Sequence, residues 1–564
     1  MYKILKNLIL RSKQMKNYLF IYGLLGWIVC ACSVLDKSYS EDQNELFFID
    51  ISEQSGITSI YNRSRFDEYP YGSGVVVLDY DKDGKDDVFY SDRTGLDLLY
   101  RNQGDGTFID VAAGASITGG SQIGNGGGCS ADYDNDGDQD LYVSSHGYSR
   151  LYNNDGMGSF VDVSLISGVQ ESGNIYSTGC AWGDYDEDGF LDFVVTRHLH
   201  GWDITKMEDD DFVKEIKSLV LFQNNQDGTF TDVSYLLSDN EQSQNQIDKE
   251  IGGIFGAGFQ PVWVDFDNDR DLDLYVVNDF GELISPNVLW ENKGLGLGNK
   301  WHFEDISFNS GADIAIYGMG VSVGDYDGDG FFDLFMTNIG DNVLLKNSGN
   351  GINFIDVTDI AGVGLGSLGD ESRVTWGTVF FDYDNDGDED LYVISGYLDH
   401  LKGAQNPKSQ NNLLLSNNND GTFKNVSLES GLDNSAIGRG TAFIDFNNDG
   451  CLDIFVANIG DMPKLYQNRC NWGNHWLQVH LIGTTVNKDA IGSRIKLISN
   501  GQTQIREVSA GGSFIGQNMM TAHFGLGSTQ IIDSLVVFWS DGTEQQVEDL
   551  KVDTKIIVKQ INPN

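Results

Sequence analysis

The sequence predicts an all-β chain: a seven-bladed β-propeller closed by an N-terminal strand, followed by a small sandwich- or barrel-like β domain. Three observations predict it. Seven nine-residue segments align without gaps, four short strands surround each of them, and one strand missing from the last repeat stands ahead of the first.

The aligned segments are DYDKDGKDD (79–87), DYDNDGDQD (132–140), DYDEDGFLD (184–192), DFDNDRDLD (265–273), DYDGDGFFD (325–333), DYDNDGDED (382–390) and DFNNDGCLD (445–453). Their starts lie 53, 52, 81, 60, 57 and 63 residues apart. A period of this length is the mark of a blade or solenoid unit. The second position is always Tyr or Phe, and the residue after each segment is always apolar.

Each segment follows a short apolar strand such as GVVVL (74–78) or GTVFF (377–381). In six repeats a glycine stands five residues before the first Asp. A second strand comes next, as in LYVSS (141–145) and LFMTN (334–338), and then a third, as in LLYRN (98–102) and LLLSN (413–417). The fourth follows a Gly-containing turn: DGTFIDV (105–111), DGTFTDV (227–233), DGTFKNV (420–426). Four short strands per unit describe propeller blades, and seven units fall within the usual range of about 4–8. The seventh repeat ends at its third strand, KLYQN (464–468), whereas LFFIDISEQSGI (46–57) supplies a fourth-type strand at the other end of the chain. The N-terminal strand is therefore expected to complete the last blade and remove an open edge. The propeller is assigned to 45–470. An extended calcium-binding β-roll has far shorter repeats and is discounted.

Asp at positions 1, 3, 5 and 9 of a tight turn, with Gly at 6, is a cage for a hard cation. Calcium takes six to eight oxygens, and alternating carboxylates supply them with a backbone carbonyl at position 7. The expected ligands are Asp79, Asp81, Asp83 and Asp87; Asp132, Asp134, Asp136 and Asp140; Asp184, Asp186, Asp188 and Asp192; Asp265, Asp267, Asp269 and Asp273; Asp325, Asp327, Asp329 and Asp333; Asp382, Asp384, Asp386 and Asp390; and Asp445, Asn447, Asp449 and Asp453. Up to seven Ca2+ ions follow. The loops at 265–273 and 445–453 are the weakest, because Arg270 replaces the glycine in one and Asn447 an Asp in the other. Zinc is excluded by the lack of His or Cys among the ligands.

Composition agrees with bound cations. The chain carries 36 basic and 84 acidic residues, a formal charge of −48, with 40% hydrophobic residues. Such acidity repels nucleic acid, while the apolar content supports a packed core rather than disorder.

Residues 1–31 read as a lipoprotein-type signal peptide. Lys3, Lys6, Arg11, Lys13 and Lys16 precede an apolar run from Tyr18 to Ala31, too short to span a bilayer comfortably. The run ends in Val-Cys-Ala-Cys, a lipobox-like pattern that makes Cys32 the expected lipidated first residue. The protein is thus expected to be exported and lipid-anchored to a bacterial envelope, at the outer membrane or cell surface. Among the remaining cysteines, Cys129 and Cys180 are expected to be free buried thiols. Cys451 in a loop and Cys470 closing a third strand fall on one rim, so a disulfide is expected between them.

The loops with their DGTF strands resemble the FG-GAP/VCBS repeats of integrin α-chain propellers and many bacterial secreted proteins. From Asn474 onward, NHWLQVHL (474–481), NKDAIGSRIKL (487–497), REVSAGGSFIGQN (506–518), HFGLG (523–527) and VVFWSDG (536–542) resemble the ASPIC/UnbV domain. The pairing is that of the cartilage acidic protein family and its bacterial relatives, and it implies a calcium-binding extracellular protein. The second domain is assigned to 471–560. Its GGSFIGQN and HFGLG segments are expected to serve tight turns, with a groove lining as the alternative.

With cations on one rim, a ligand is expected on the other, where insertions at 198–218, 238–256 and 396–410 gather. Candidate ligand-face residues are Arg197, His198 and His200, together with Tyr71, Tyr176, Tyr317 and Trp376 around the central opening. For Arg197, His198 and His200 ordinary surface solvation is the competing reading, and no catalytic constellation stands out. The expected function is a calcium-binding surface lipoprotein that binds a protein or glycan, touching membrane only through its anchor. The alternatives are a calcium-dependent polysaccharide lyase or hydrolase, and an accessory subunit of a surface complex.

Overall fold

Four antiparallel strands make the first blade: Val75–Leu78, Asp87–Tyr90, Leu98–Asn102 and Phe108–Asp110. The computed structural model describes residues 46–59, 71–92, 97–117, 125–170, 175–198, 218–237, 256–296, 300–349, 353–398, 409–470 and 473–562. The leader, Cys32, His200 and most of the three insertions lie outside the described residues. Blades two to six repeat the order within 125–162, 176–232, 257–305, 321–356 and 375–425. In the seventh, Gly438–Ile444, Asp453–Asn458 and Lys464–Asn468 are followed in the sheet by Phe48–Asp50. Phe48 pairs with Asn468 in the same register as Phe108 with Asn102 and Phe423 with Asn417.

After the fourth strand a Ser or Thr begins a single helical turn, as in Ser164–Ser167, Ser307–Ser310, Thr358–Ala361 and Ser427–Ser430. Its hydroxyl accepts from a third-strand backbone N–H: Ser164 from Leu151, Ser307 from Leu289, Thr358 from Leu344 and Ser427 from Leu414, each at 2.9 Å. Ser52 does the same for Leu465 at 3.0 Å, so the N-terminal segment brings the whole local motif to the seventh blade.

Adjacent blades are joined by two recurrent contacts. The aromatic ring at loop position 2 meets the fourth-strand Phe of the following blade: Tyr80 with Phe160, Tyr133 with Phe230, Tyr185 with Phe303, Phe266 with Phe354 and Tyr326 with Phe423, at centroid distances of 5.5–6.3 Å. Tyr383 with Phe48 (6.3 Å) and Phe446 with Phe108 (6.0 Å) continue the cycle through the chain ends. The second contact uses an Asn of each third strand, the last residue of that strand in every blade but the fourth. Its backbone N–H donates to the position-9 Asp of its own blade at 2.7–2.8 Å. Its side-chain amide donates to the position-2 carbonyl of the preceding blade at 2.6–2.9 Å. Asn102 reaches Phe446 in this way, linking blade one to blade seven.

The innermost strands touch around the axis, and the six repeated glycines explain themselves there. A side chain at Gly320, Gly377 or Gly440 would strike a backbone carbonyl of Trp376, Arg439 or Ser73 on the neighbouring blade. Cys129 and Cys180 occupy equivalent inner positions of blades two and three, with Cα atoms 5.9 Å apart, and form a disulfide. The expectation of free thiols is corrected: inner strands converge, so buried residues of neighbouring repeats reach bonding distance. Closing a 51-residue loop, this bond contributes about 4 kcal/mol. Cys451 and Cys470 are also joined, with Cα atoms 6.0 Å apart.

The C-terminal region has two sheets. Ala522–Gly527, His475–Ile482 and Thr554–Lys559 form one, and Gln502–Glu507, Arg494–Ser499, Ser534–Phe538 and Glu544–Val547 the other. Its apolar core runs on into blades two and three, where Leu477, Ile495 and Phe524 share a cluster with Trp182 and Phe193.

Replacing Asn102 by Ala leaves the buried Phe446 carbonyl and the half-buried Asp86 carbonyl without their donor. The denaturation midpoint is expected to fall by the equivalent of about 2–3 kcal/mol. The exposed Asn225→Ala serves as control and is expected to shift it little.

Candidate functional site: the acidic rim and its cap

Position 4 of six loops lies in the left-handed region (Lys82 φ 56°, Asn135 61°, Glu187 54°, Asn268 65°, Asn385 59°, Asn448 55°), and Gly328 takes φ 68° in the other. This turn folds the backbone N–H groups of positions 5 and 6 onto the first Asp. In blade one Asp83 donates to Asp79 Oδ1 at 3.1 Å and Gly84 to Oδ2 at 2.9 Å. The same pair recurs on Asp132, Asp184, Asp325, Asp382 and Asp445. In loop four only the second bond forms, from Arg270 to Asp265 Oδ2 at 3.2 Å.

The carboxylates converge. Oxygens of Asp79, Asp81 and Asp87, of Asp132, Asp134 and Asp136, of Asp184, Asp186 and Asp192, and of Asp265, Asp267 and Asp269 lie within 4.8 Å of one another. Four position-3 oxygens, Oδ1 of Asp81, Asp186, Asp327 and Asp384, are buried with no hydrogen-bond partner. Oδ1 of Asp265 is likewise unpartnered. Buried acceptors left unpaired are costly, and a hard cation is the partner that satisfies several at once. The donor set therefore fits calcium in these loops. Position 9 has a second duty that sequence reasoning missed: besides the third-strand Asn, it accepts the position-2 amide, as Asp87 does from Tyr80.

Loop seven differs. The amide of Asn447 donates to Asp449 Oδ2 at 2.8 Å, and Gln478 donates to Asp445 Oδ2 at 2.7 Å. Asp449 and Asp445 are thus met by protein donors, while Asp453 Oδ2 is buried without a partner. In loop four Arg494 lies 3.1 Å from Asp265 Oδ2, and Arg270 reaches Glu544 at 2.6 Å and the Gly542 carbonyl at 2.9 Å.

Burial holds five first- and third-position carboxyls above their ordinary range, and neighbouring carboxylates add to the effect. Asp79 is raised to about 6, Asp325 and Asp384 to about 7, and Asp132 and Asp184 to about 8.

The C-terminal domain sits on this rim. Asn135, Asn268 and Asn385, at position 4 of loops two, four and six, act as bridges. Each donates to the position-6 carbonyl of the next loop: Gly189 at 2.8 Å, Gly330 at 3.2 Å and Gly450 at 3.0 Å. Each accepts from or pairs with the domain: Asn135 with the Lys488 amide at 3.0 Å, Asn268 with Arg494, and Asn385 with His523 at 2.6 Å. Asp489 also accepts the Asp132 amide at 2.7 Å. A side chain at Gly525 would strike Asp382, so that glycine of HFGLG serves close approach, while Gly527 takes φ 54°.

The GGSFIGQN segment enters the propeller axis. Trp182 donates to the Ala510 carbonyl at 2.9 Å, Val321 to Ser513 at 2.8 Å, Gly128 to Ile515 at 3.3 Å and Val77 to Gln517 at 3.1 Å. Ser513 donates to Thr441 at 2.8 Å, while Phe514 packs against Phe259 (5.4 Å) and Trp376 (5.1 Å). Inner strands of all seven blades thus meet the plug. The tight turn expected of it is present, at Phe514–Ile515 between the bridged Gly512 and Gly516, and it lies inside the axis. Gly511 and Gly512 take φ of 134° and 126°, and a side chain at Gly516 would strike Val75.

The plug rearranges the expected ligand face. Tyr71 and Tyr176 are buried beside Phe259, and Trp376 is fully buried under Arg439, whose guanidinium lies 3.8 Å from the ring centroid. Tyr317 packs on Phe280 at 5.8 Å, away from that cluster. His198 is buried, 3.1 Å from Asp279 and stacked on Phe259 at 4.4 Å, which replaces the expectation of surface solvation. Arg197 is half-buried, its amide bound to the Ser218 carbonyl at 2.7 Å.

A model of the FG-GAP-like repeat matches 79–143, 132–195, 265–336, 325–393 and 396–456, over half of the sequence. The chain belongs to the FG-GAP-like repeat family. A second model, ASPIC and UnbV, matches 483–564. Cartilage acidic protein 1 of Xenopus tropicalis is 23% identical over 498 residues, covering 83% of this FG-GAP-like chain and 70% of that protein. The human protein of the same name is 24% identical over 277 residues, or 48% of this chain and 39% of its own length. Among solved structures, one described as an Agrocybe aegerita protein recognising non-reducing terminal N-acetylglucosamine aligns loosely. Its TM-score is 0.40, at 15% identity, over 71% of this chain and 95% of that one.

Raised carboxyl pKa values give the rim a signed pH dependence. Each such group favours folding while protonated, fully below the unfolded value of about 4, and this stability is lost as pH rises through about 6–8. In chelator the melting temperature is expected to fall between pH 5 and pH 8. Added calcium is expected to shrink or reverse that fall.

Proposed function

We propose that the protein is a calcium-loaded, exported surface module, anchored through Cys32, that binds a protein or glycan without chemical turnover. The unpartnered position-3 oxygens of loops one, three, five and six carry the calcium part of this reading. Sites of ~0.1–1 mM affinity in millimolar calcium add ~0.4–1.4 kcal/mol each. Several together rival the ~5–15 kcal/mol stability of a typical domain.

Export is supported by the lipobox-like leader and by two disulfides, which persist in oxidising compartments. Among the described residues no helix is long and apolar enough to cross a membrane. The binding role is supported by the rigid repeat scaffold and by membership in a family whose relatives include cartilage acidic protein 1. His198 and Arg197 are engaged in packing and backbone contacts, which weakens the lyase or hydrolase alternative.

Chelation is expected to lower the melting temperature by several degrees or more. It should also raise hydrogen exchange at plug amides such as Gln517, because the cap rests on loop groups whose geometry the cation holds. An unchanged melting temperature in EDTA contradicts the calcium reading. A screen of proteins and glycans, with product analysis, tests the rest: turnover of a polysaccharide overturns the binding assignment.

A further inference from the structure

A cavity of about 380 Å³ lies between loops four and five and the C-terminal sheet. Arg270, Arg494 and Lys496 line it in a chain whose formal charge is −48. Two carboxylates also line it, and each has a cationic neighbour, although Asp265 Oδ1 stays unpartnered. Asp265 faces Arg494 at 3.1 Å and accepts the Arg270 amide at 3.2 Å. Asp329 accepts the Phe331 amide at 3.1 Å and lies 3.3 Å from Lys346 Nζ. Lys496, on the strand Arg494–Ser499, has no carboxylate partner among the described residues. Its ammonium is therefore the uncompensated charge of the cavity.

Two further donors of the lining lack acceptors: the Arg494 Nε–H and the Trp539 indole N–H, the latter on a residue that is 2% exposed. The wall also carries the Phe538 ring, capped by Arg270 at 5.4 Å, and the hydroxyl of Thr503. Cations, unfilled donors and an aromatic face around one cleft between domains fit a polar anion with an apolar ring face. A cavity of this size admits one or two sugar units.

We propose that this cavity binds an acidic sugar unit of a glycan, its oxyanion held by Lys496 between the two arginines. The proposal rests on the glycan-binding reading and locates the site on the capped rim rather than on the insertion face. It also explains Arg270 in loop four. The departure from glycine places a guanidinium on the cavity wall, where glycine would leave only Lys496 and Arg494.

The test is calorimetric titration of the purified chain with trigalacturonate, with a sulfated disaccharide, and with neutral galactobiose, at low salt. Trigalacturonate or the sulfated sugar is expected to bind at least tenfold more tightly than galactobiose. The tighter of the two identifies the oxyanion as carboxylate or sulfate. Lys496→Gln is expected to weaken binding at least fivefold with an unchanged melting temperature, and Arg270→Gln to weaken it without abolishing calcium binding. Equal affinity for the neutral sugar, or acidic-sugar binding unaffected by Lys496→Gln, overturns the site while leaving glycan binding in place. Absence of binding to every glycan in a broad screen overturns both.

Discussion

Everything on the acidic rim depends on one buried relay: position-9 Asp, third-strand Asn, and the aromatic carbonyl of the preceding loop. The Asp cannot be replaced by an amide at no cost, because it accepts two backbone N–H groups, from position 2 and from the third strand. The Asn then spends its side chain on the neighbouring blade. One residue pair thereby fixes the nine-residue loop to its own blade and its own blade to the next. Desolvation drives these buried carboxyls well above their ordinary pKa, while the N–H groups they accept from pull the other way. The relay runs through Asn102 and Phe446, so a blade cannot leave the cycle without exposing bonds on both sides.

Holding the loops so firmly creates an electrostatic problem, since several carboxylates then face one point. The chain answers it in two ways. In loops one and five the third strand supplies a cation, Arg101 at 2.6 Å from Asp81 Oδ2 and Lys346 beside Asp327, though one oxygen of each Asp stays unpartnered. In loop seven amides from Asn447 and Gln478 meet Asp449 and Asp445, and in loop four Arg494 meets one oxygen of Asp265. Both Gln478 and Arg494 belong to the C-terminal domain. The domain therefore works partly as a built-in set of donors for the rim. Its seat is read through Asn135, Asn268 and Asn385, which hold their own neighbour loop with one end of the amide and the cap with the other.

What the sequence made legible follows from periodicity. The position-2 aromatic, the DGTF Phe and the pre-loop glycines recur, and recurrence marks them even before their partners are known. The third-strand Asn recurs just as faithfully in YRN, YNN, FQN, WEN, LKN, LSN and YQN, and was overlooked because an Asn at a strand end looks like ordinary turn chemistry. Cys129–Cys180 was misread for a different reason. Two cysteines in equivalent strands look unrelated until the axis brings neighbouring inner strands to 5.9 Å. The plug was illegible altogether. It occurs once, and its partners are the inner strands of seven repeats, so no spacing within GGSFIGQN signals them.

The plug also decides how the two domains relate. Ser513 and Ile515 have φ of 57° and 47°, and a β-branched residue resists that region strongly. Such a conformation costs on the order of 1–3 kcal/mol per residue and persists only where the surroundings over-determine it. Here they do: Gly128 binds the Ile515 carbonyl, Val321 binds Ser513, and glycines at 74 and 127 leave room for Ile515 that no other residue would. The segment has its shape because the axis imposes it, and the axis is filled because the segment has that shape. Neither domain buries its central surface without the other. The segment thus occupies the axis among the inner strands of all seven blades.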